Sequence, residues 1–193
     1  MKRNEMISLL RRYPVIAAVR SPEAVERAIA AKSPVVFMLF GSILDIDGQV
    51  KRLQDAGKRV LLHLDLMEGL GQDAAAVRWC AQKVRPDGVI STRPKLLKAA
   101  EEEGLITVQR LFLMDSMSFD RSVKLLRSSA PCMAEVLPGL VPKAISQLAQ
   151  SIDSPVIAGG MITEPAEVMR ALKASALAVS TGEERLWNLE NDG

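Results

Sequence analysis

Short apolar runs alternate with amphipathic stretches along the chain. Most of the runs are continuously apolar rather than alternating with polar residues, which is typical of strands buried on both faces of a parallel sheet. The pattern predicts eight strands, over Val15–Val19, Val35–Phe40, Arg59–Leu66, Gly88–Arg93, Ile106–Leu113, Met133–Leu137, Pro155–Ala158 and Leu177–Ser180.

The stretches between these runs carry helix start and stop signals. Prolines in the first helical turn predict starts at Ser21-Pro22, Arg93-Pro94 and Thr163-Glu164-Pro165. Glycines predict stops, with Gly57 after Ile46–Ala56 and Gly104 after Lys95–Glu103. A short last helix is predicted over Glu183–Leu189.

Eight strands, each followed by a helical segment, favour an α/β fold of the (β/α)₈ TIM-barrel type. The 193 residues form a single predicted domain, 1–193, and are few beside the ~250 typical of such barrels, so the barrel must be compact. An open, doubly wound sheet is the alternative, because sequence patterns define element type better than topology.

Composition narrows the class of protein. Apolar residues make up 48% and charged residues 25%, which suits a soluble domain with a real core. The only cysteines, Cys80 and Cys132, have neither disulfide-scaffold nor metal-site spacing, so we expect buried free thiols. Without a secretory signal or an apolar run of ~20 residues, the expected location is cytoplasmic, with no membrane partner.

A net charge of +2 is too small to indicate a nucleic-acid binder by itself. Basic residues nevertheless cluster locally, and the candidates for RNA contact are Arg11, Arg12, Lys51, Arg52, Lys58 and Arg59. The alternative interpretation is that these residues belong to solvated helix faces.

Polar residues recur where the predicted strands end, and ligands of (β/α)₈ barrels bind at that end. Phosphate is often bound by the loops after strands seven and eight, and here these carry Gly159, Gly160, Ser180 and Thr181. The alternative for the last strand is a capping box formed by Ser180 and Glu183, which needs no ligand.

Other strand ends could bind the rest of a ligand. Arg93 and Arg110 could hold phosphate or carboxylate through paired hydrogen bonds, and Asp65 and Glu135 could accept bonds from hydroxyl groups. His63 is the only histidine. With Asp65 and Glu135 it could bind a metal or transfer protons, but we favour a hydrogen-bonded core histidine, because no fuller metal pattern surrounds it.

No nucleotide-binding glycine loop, nucleophile elbow or strand lysine is present, so the sequence predicts no catalytic residue, metal or cofactor. The sequence resembles the glycerol-3-phosphate-responsive antiterminator family across nearly its whole length. The matching segments are Val15–Val19, Phe37–Gly41, His63–Leu70, Pro86–Arg93, Gly104–Leu113, Glu135–Gly139, Ile157–Ile162, Ala178–Thr181 and Leu186-Trp187.

This resemblance implies a cytoplasmic barrel without catalytic activity that senses glycerol 3-phosphate. When loaded, such a protein binds the mRNA leader of a glycerol-metabolism transcript and lets polymerase pass a terminator. Three positions depart from the family pattern: Cys132 stands where aspartate is usual, Ser175 lies near a usual glycine, and Gly182 stands where serine is usual.

Two further expectations follow from the sequence. A barrel enzyme acting on a small phosphorylated polyol or sugar is the alternative function, with Asp65 or Glu135 as general base. The apolar faces of the N-terminal helix and the short last helix also need cover, which suggests a homodimer.

Overall fold

The computed structural model describes residues 3–189, in which helices and strands alternate. The helices are α1 Arg3–Arg12, α2 Pro22–Ala30, α3 Ile46–Asp55, α4 Ala74–Trp79, α5 Pro94–Glu102, α6 Ser116–Ser129, α7 Pro142–Ser151 and α8 Pro165–Lys173. The strands are β1 Val15–Val19, β2 Val35–Met38, β3 Arg59–His63, β4 Gly88–Ser91, β5 Ile106–Phe112, β6 Met133–Leu137, β7 Val156–Gly159 and β8 Ala178–Thr181. Short 3₁₀ turns cover Leu64–Leu66 and Glu184–Asn188, and a π turn over Cys80–Val84 extends α4.

The eight strands are parallel and close into a barrel in sequence order. Closure is made by β8 against β1, where Val15 pairs with Val179 and Ala17 with Thr181. The predicted (β/α)₈ barrel is therefore confirmed, and the open doubly wound sheet is excluded.

Several predicted strand ends were wrong by one to three residues. The strand predicted over Arg59–Leu66 ends at His63, where the chain enters the 3₁₀ turn. The strand predicted to Phe40 ends at Met38, and the one predicted to Arg93 ends at Ser91. These strand ends lead into loops, and apolar content alone does not show where the ladder of backbone hydrogen bonds stops.

Helix α1 closes the amino-terminal end of the barrel. Its Met6 and Leu10 are fully buried and pack among the barrel-interior residues Ile16, Phe37 and Leu61. The apolar face of the last 3₁₀ turn is buried against other residues of the same chain. Trp187 is 1% exposed, and its Nε1 donates to the Thr181 carbonyl at 2.8 Å. The reason for expecting a homodimer was therefore wrong, since the chain buries both apolar faces itself.

The predicted helix signals mostly hold. Proline occupies the first turn of α2, α5 and α8, and Gly57 and Gly104 follow α3 and α5 with φ of 81° and 77°, which favour glycine. Both cysteines are free. Cys80 is buried, which raises the pKa of its thiol to about 12, but Cys132 is only half-buried, contrary to expectation. Across residues 3–189, no helix has the length and apolar character needed to cross a bilayer.

Candidate functional site

Two groups of polar residues lie at the carboxyl end of the barrel. The polar layer consists of His63, Arg110, Glu135 and Ser180, from β3, β5, β6 and β8. The rim pocket is a cavity of about 250 Å³ outside β7 and β8, lined by Arg20, Gly160, Met161, Ile162, Thr163, Thr181, Gly182 and Glu183.

The polar layer lies inside the barrel, next to the apolar side chains that fill the barrel interior. Two residues before each member of the layer stands an apolar residue of the interior cluster: Leu61, Val108, Met133 and Ala178. Because strand side chains alternate between faces, the polar residue two positions later also points to the barrel axis.

Glu135 is the centre of this layer. It is fully buried, and its two oxygens accept hydrogen bonds from Arg110 Nε at 2.6 Å and from Ser180 Oγ at 2.5 Å. A Cβ at Gly159 would lie 2.7 Å from both Glu135 Oε1 and Ser180 Oγ. The absence of a side chain at Gly159 therefore makes room for the bond between carboxylate and hydroxyl.

His63 lies in the same layer and is 3% exposed. Burial and the nearby Arg110 charge lower its pKa to about 4, with Asp65 opposing the shift, so the ring is neutral at pH 7. The expected core position is confirmed, but the expected hydrogen bond is not made at Nδ1, which is buried without a partner among residues 3–189.

Asp65 organises the loop after β4. Its carboxylate accepts hydrogen bonds from Ser91 Oγ at 2.8 Å and from the backbone N–H and hydroxyl of Thr92 at 2.7 and 2.8 Å. Burial works to raise the pKa of Asp65, but the bonds from Thr92 and Ser91 outweigh it and hold the pKa below its ordinary value. Arg93 Nε is 3.9 Å from Asp65, and its side chain is half exposed.

The rim pocket has unusual backbone and an unpaired cation. Gly160 and Met161 have φ of 77° and 62° in succession. The guanidinium of Arg20 lies over Gly182, where a Cβ would be 3.3 Å from Arg20 Cζ. Arg20 makes no hydrogen bond or ion pair within the described part of the chain. Glu183, which also lines the pocket, is 3.3 Å from Arg185 Nε.

The four residues predicted to bind phosphate separate into two levels. Gly160 and Thr181 line the rim pocket, whereas Gly159 and Ser180 lie in or beside the polar layer. The capping-box alternative was wrong, because Ser180 bonds to Glu135 and it is Thr181 Oγ1 that accepts from the Glu183 N–H at 3.0 Å. Thr181 Oγ1 also donates to the Ile162 carbonyl at 2.7 Å, which ties β8 to the loop after β7.

Sequence reasoning did not single out Arg20. It stands directly after the apolar run of β1, so the rule applied to the other strand ends would have found it. Within residues 3–189, no group of three or more His, Cys, Asp or Glu side chains is placed to hold a metal.

The candidate RNA-contacting residues lie in two different settings. Arg11 and Arg12 are exposed at the end of α1, on the opposite side of the barrel from the rim pocket, with Arg12 Cζ 5.3 Å from the Tyr13 ring centre. The cations of the second cluster are engaged: Lys51 with Asp55 at 2.8 Å, Arg52 with Glu26, and Arg59 with Asp87 at 3.3 Å. The prediction that Lys58 contacts RNA was wrong, because this residue is 8% exposed and its Nζ donates to the carbonyls of Ala31 and Ser33.

Taken together, these features define a small (β/α)₈ barrel with a ligand-sized cavity at its mouth. A family model, described as glycerol-3-phosphate responsive antiterminator, matches residues 15–187. The chain therefore belongs to the glycerol-3-phosphate responsive antiterminator family.

Individual relatives agree with this assignment. The chain is similar to the uncharacterised Escherichia coli K12 protein YgcP, with 35% identity over 95% of this chain and 96% of that one. It is also similar to the crystal structure of a glycerol uptake operon antiterminator regulatory protein from Listeria monocytogenes, with a TM-score of 0.87 and 33% identity over 90% and 94% of the two chains. A glycerol uptake operon antiterminator-related protein from Thermotoga maritima has a TM-score of 0.81 and 30% identity, covering 91% of this chain and 98% of that one.

Proposed function

We propose that this protein is a regulator that senses glycerol 3-phosphate at the barrel mouth and, when loaded, binds an mRNA leader to permit antitermination. Family membership supports the regulatory class. The observation that carries the sensing step is the rim pocket, where a guanidinium without a partner among residues 3–189 faces glycine-bearing loops.

The rim pocket suits the phosphate end of such a ligand. Arg20 supplies a permanent positive charge with a fork of donors that fits phosphate oxygens. Gly160 and Gly182 carry no side chain to keep an anion from the backbone and from Arg20. A volume of about 250 Å³ lies just below the ~300 Å³ at which drug-sized sites begin, so a small metabolite fits best.

We infer that the bound ligand is not turned over and that no cofactor is needed. The alternative of a barrel enzyme requires Asp65 or Glu135 as a free general base. Each is already engaged, since Glu135 accepts hydrogen bonds from Arg110 and Ser180, and Asp65 accepts them from Ser91 and Thr92. A base must reach the proton that it removes, and every oxygen of these two carboxylates already accepts a hydrogen bond from the protein, which disfavours that task.

Titration calorimetry tests the sensing step, using glycerol 3-phosphate, glycerol and inorganic phosphate as separate probes. We expect saturable binding that is tightest for glycerol 3-phosphate, with the ligand recovered unchanged. A hundredfold excess over the Kd should stabilise the fold by about 2.7 kcal/mol. Equal affinity for glycerol 3-phosphate and free phosphate, or conversion to a product, would contradict the proposal.

For the RNA step, we propose that Arg11 and Arg12 bind the phosphate backbone. They are exposed without an ion pair to the described residues, whereas Lys51 and Arg52 are already paired with carboxylates. Removing one cation that binds a phosphate should make the slope of log K against log salt shallower by about 0.7 for a single strand. The test compares Arg11→Glu/Arg12→Glu with Lys51→Glu/Arg52→Glu on a glycerol-operon leader RNA, with glycerol 3-phosphate present. A larger loss of affinity in the second pair would move the RNA-binding surface to α3.

A further inference from the structure

We propose that His63 is the specificity-determining residue of the mouth, and that it hydrogen-bonds a hydroxyl group of the phosphorylated polyol. This inference rests on the proposed function, because the phosphate end of the same ligand is assigned to the rim pocket. The inference adds the residue by which the protein would distinguish a polyol phosphate from inorganic phosphate.

The hydrogen bonds of the polar layer leave particular atoms unused. Both oxygens of Glu135 are occupied, and Arg110 donates through Nε alone, with no bond from its terminal nitrogens to any residue of 3–189. His63 Nδ1 is buried without a partner in that same range. The unused groups belong to the same layer of the barrel interior, since Val108 and Leu61, two residues before Arg110 and His63, both pack in the interior cluster.

Buried polar atoms are nearly always hydrogen-bonded, so an orphan nitrogen in the layer at the carboxyl end of the barrel points to a missing partner. Neutral imidazole offers one donor and one acceptor, whichever nitrogen carries the proton. A hydroxyl can donate or accept, so it pairs with either tautomer, whereas a phosphate oxygen only accepts. The terminal nitrogens of Arg110 can donate to the oxygen of the same hydroxyl. The chemistry of the layer therefore fits a hydroxyl group.

The test measures how the His63 contact depends on the ligand hydroxyls. The wild type, His63→Ala and His63→Asn are titrated with glycerol 3-phosphate, propyl phosphate, which lacks both hydroxyls, and inorganic phosphate. We expect His63→Ala to bind glycerol 3-phosphate about tenfold more weakly and the other two probes within twofold of the wild type. Asn keeps a polar group near the position of Nδ1 and should recover part of the affinity.

Leu39→Ala is the matched control. Leu39 follows β2, beside β3, and packs partly buried against the interior cluster, so its truncation also opens space at the mouth but removes no polar group. It should change the affinities for glycerol 3-phosphate and propyl phosphate by the same factor. Circular dichroism and thermal melts verify that each variant is folded.

The outcomes separate the two proposals. If the wild type binds glycerol 3-phosphate and propyl phosphate equally, or if His63→Ala weakens both equally or neither, the role of His63 is overturned while the phosphate pocket stands. If His63→Ala weakens the binding of neither ligand, a buried water would be the partner of Nδ1. If the wild type binds none of the probes, the sensing function fails, and the role of His63 fails with it.

Discussion

The polar layer and the rim pocket lie one above the other, but they use charge in opposite ways. In the layer, the Glu135 carboxylate is fully buried and both of its oxygens are bound to protein donors. In the pocket, Arg20 is exposed and has no protein partner in the described chain. The pocket also contains consecutive residues with positive φ, Gly160 and Met161.

The difference indicates which charged groups serve folding and which serve binding. A buried charge pair gains little net stability, but losing one partner is costly, because the other remains desolvated. An exposed arginine outside any ion pair contributes little to stability and is available to an anion. Substitutions of the buried ion pair, Glu135 and Arg110, should therefore act mainly on the free energy of unfolding, and substitutions in the pocket mainly on ligand affinity.

The largest expected effect is in the layer. Glu135→Leu removes the carboxylate and leaves Arg110 buried without its partner, which should lower the free energy of unfolding by about 3–5 kcal/mol. Urea denaturation measures the change. The double variant Glu135→Leu/Arg110→Met is the control and should recover at least half of the loss, since no unpaired charge remains. A single variant within about 1 kcal/mol of the wild type would show that the layer is not a stability element.

The next largest effect is a dependence of the free energy of unfolding on pH, caused by His63. Its pKa falls from 6.5 to about 4 on folding, so the unfolded chain takes up a proton at a pH where the folded chain does not. Stability is then complete above pH 6.5 and falls by about 3 kcal/mol as the pH drops toward 4.

This window is specific because the chain has a single histidine. Carboxylates with lowered pKa, such as Asp65, lose their contribution only below about pH 4. Urea denaturation at pH 7 and pH 5 is the measurement, and His63→Asn should remove most of the difference between them. An unchanged pH dependence in that variant would mean that His63 is not held neutral by the fold.

A smaller effect, with the opposite signature, is expected in the pocket. Arg20→Gln should weaken glycerol 3-phosphate binding about tenfold, or 1.4 kcal/mol, because a charge-assisted bond to phosphate is lost. Its free energy of unfolding should stay within about 0.5 kcal/mol of the wild type. Arg170→Gln, on the exposed face of α8, is the matched control and should change neither quantity. Loss of stability without loss of affinity would reverse the roles of the two regions.

Features with a local sequence pattern could be predicted, and contacts between distant parts of the chain could not. The barrel was predictable because buried strands and proline-started helices leave local patterns, and the family was predictable because matching segments run along nearly the whole chain. The partners of Ser180 and Asp65 were not predictable, because Glu135 and Thr92 lie on other strands or loops, and pairing across a barrel has no local signal. Lys58 was mistaken for a surface residue because its basic neighbours are exposed, although its Nζ is directed to carbonyls of another loop.

The smallest expected effect concerns backbone strain at the pocket. Met161 has φ of 62° and is 72% exposed, and Ser175, before β8, has φ of 73°. The left-handed region costs a residue with a Cβ about 1–2 kcal/mol, and a substitution by glycine removes that cost. Glycine also has more conformational freedom in the unfolded chain, which cancels roughly half of the stabilisation. Met161→Gly and Ser175→Gly should therefore each raise the free energy of unfolding by about 0.5–1 kcal/mol. Only Met161→Gly should weaken binding of inorganic phosphate, by less than threefold, because only Met161 lines the rim pocket. Equal affinities in both variants would mean that the strained backbone serves the fold and not the ligand.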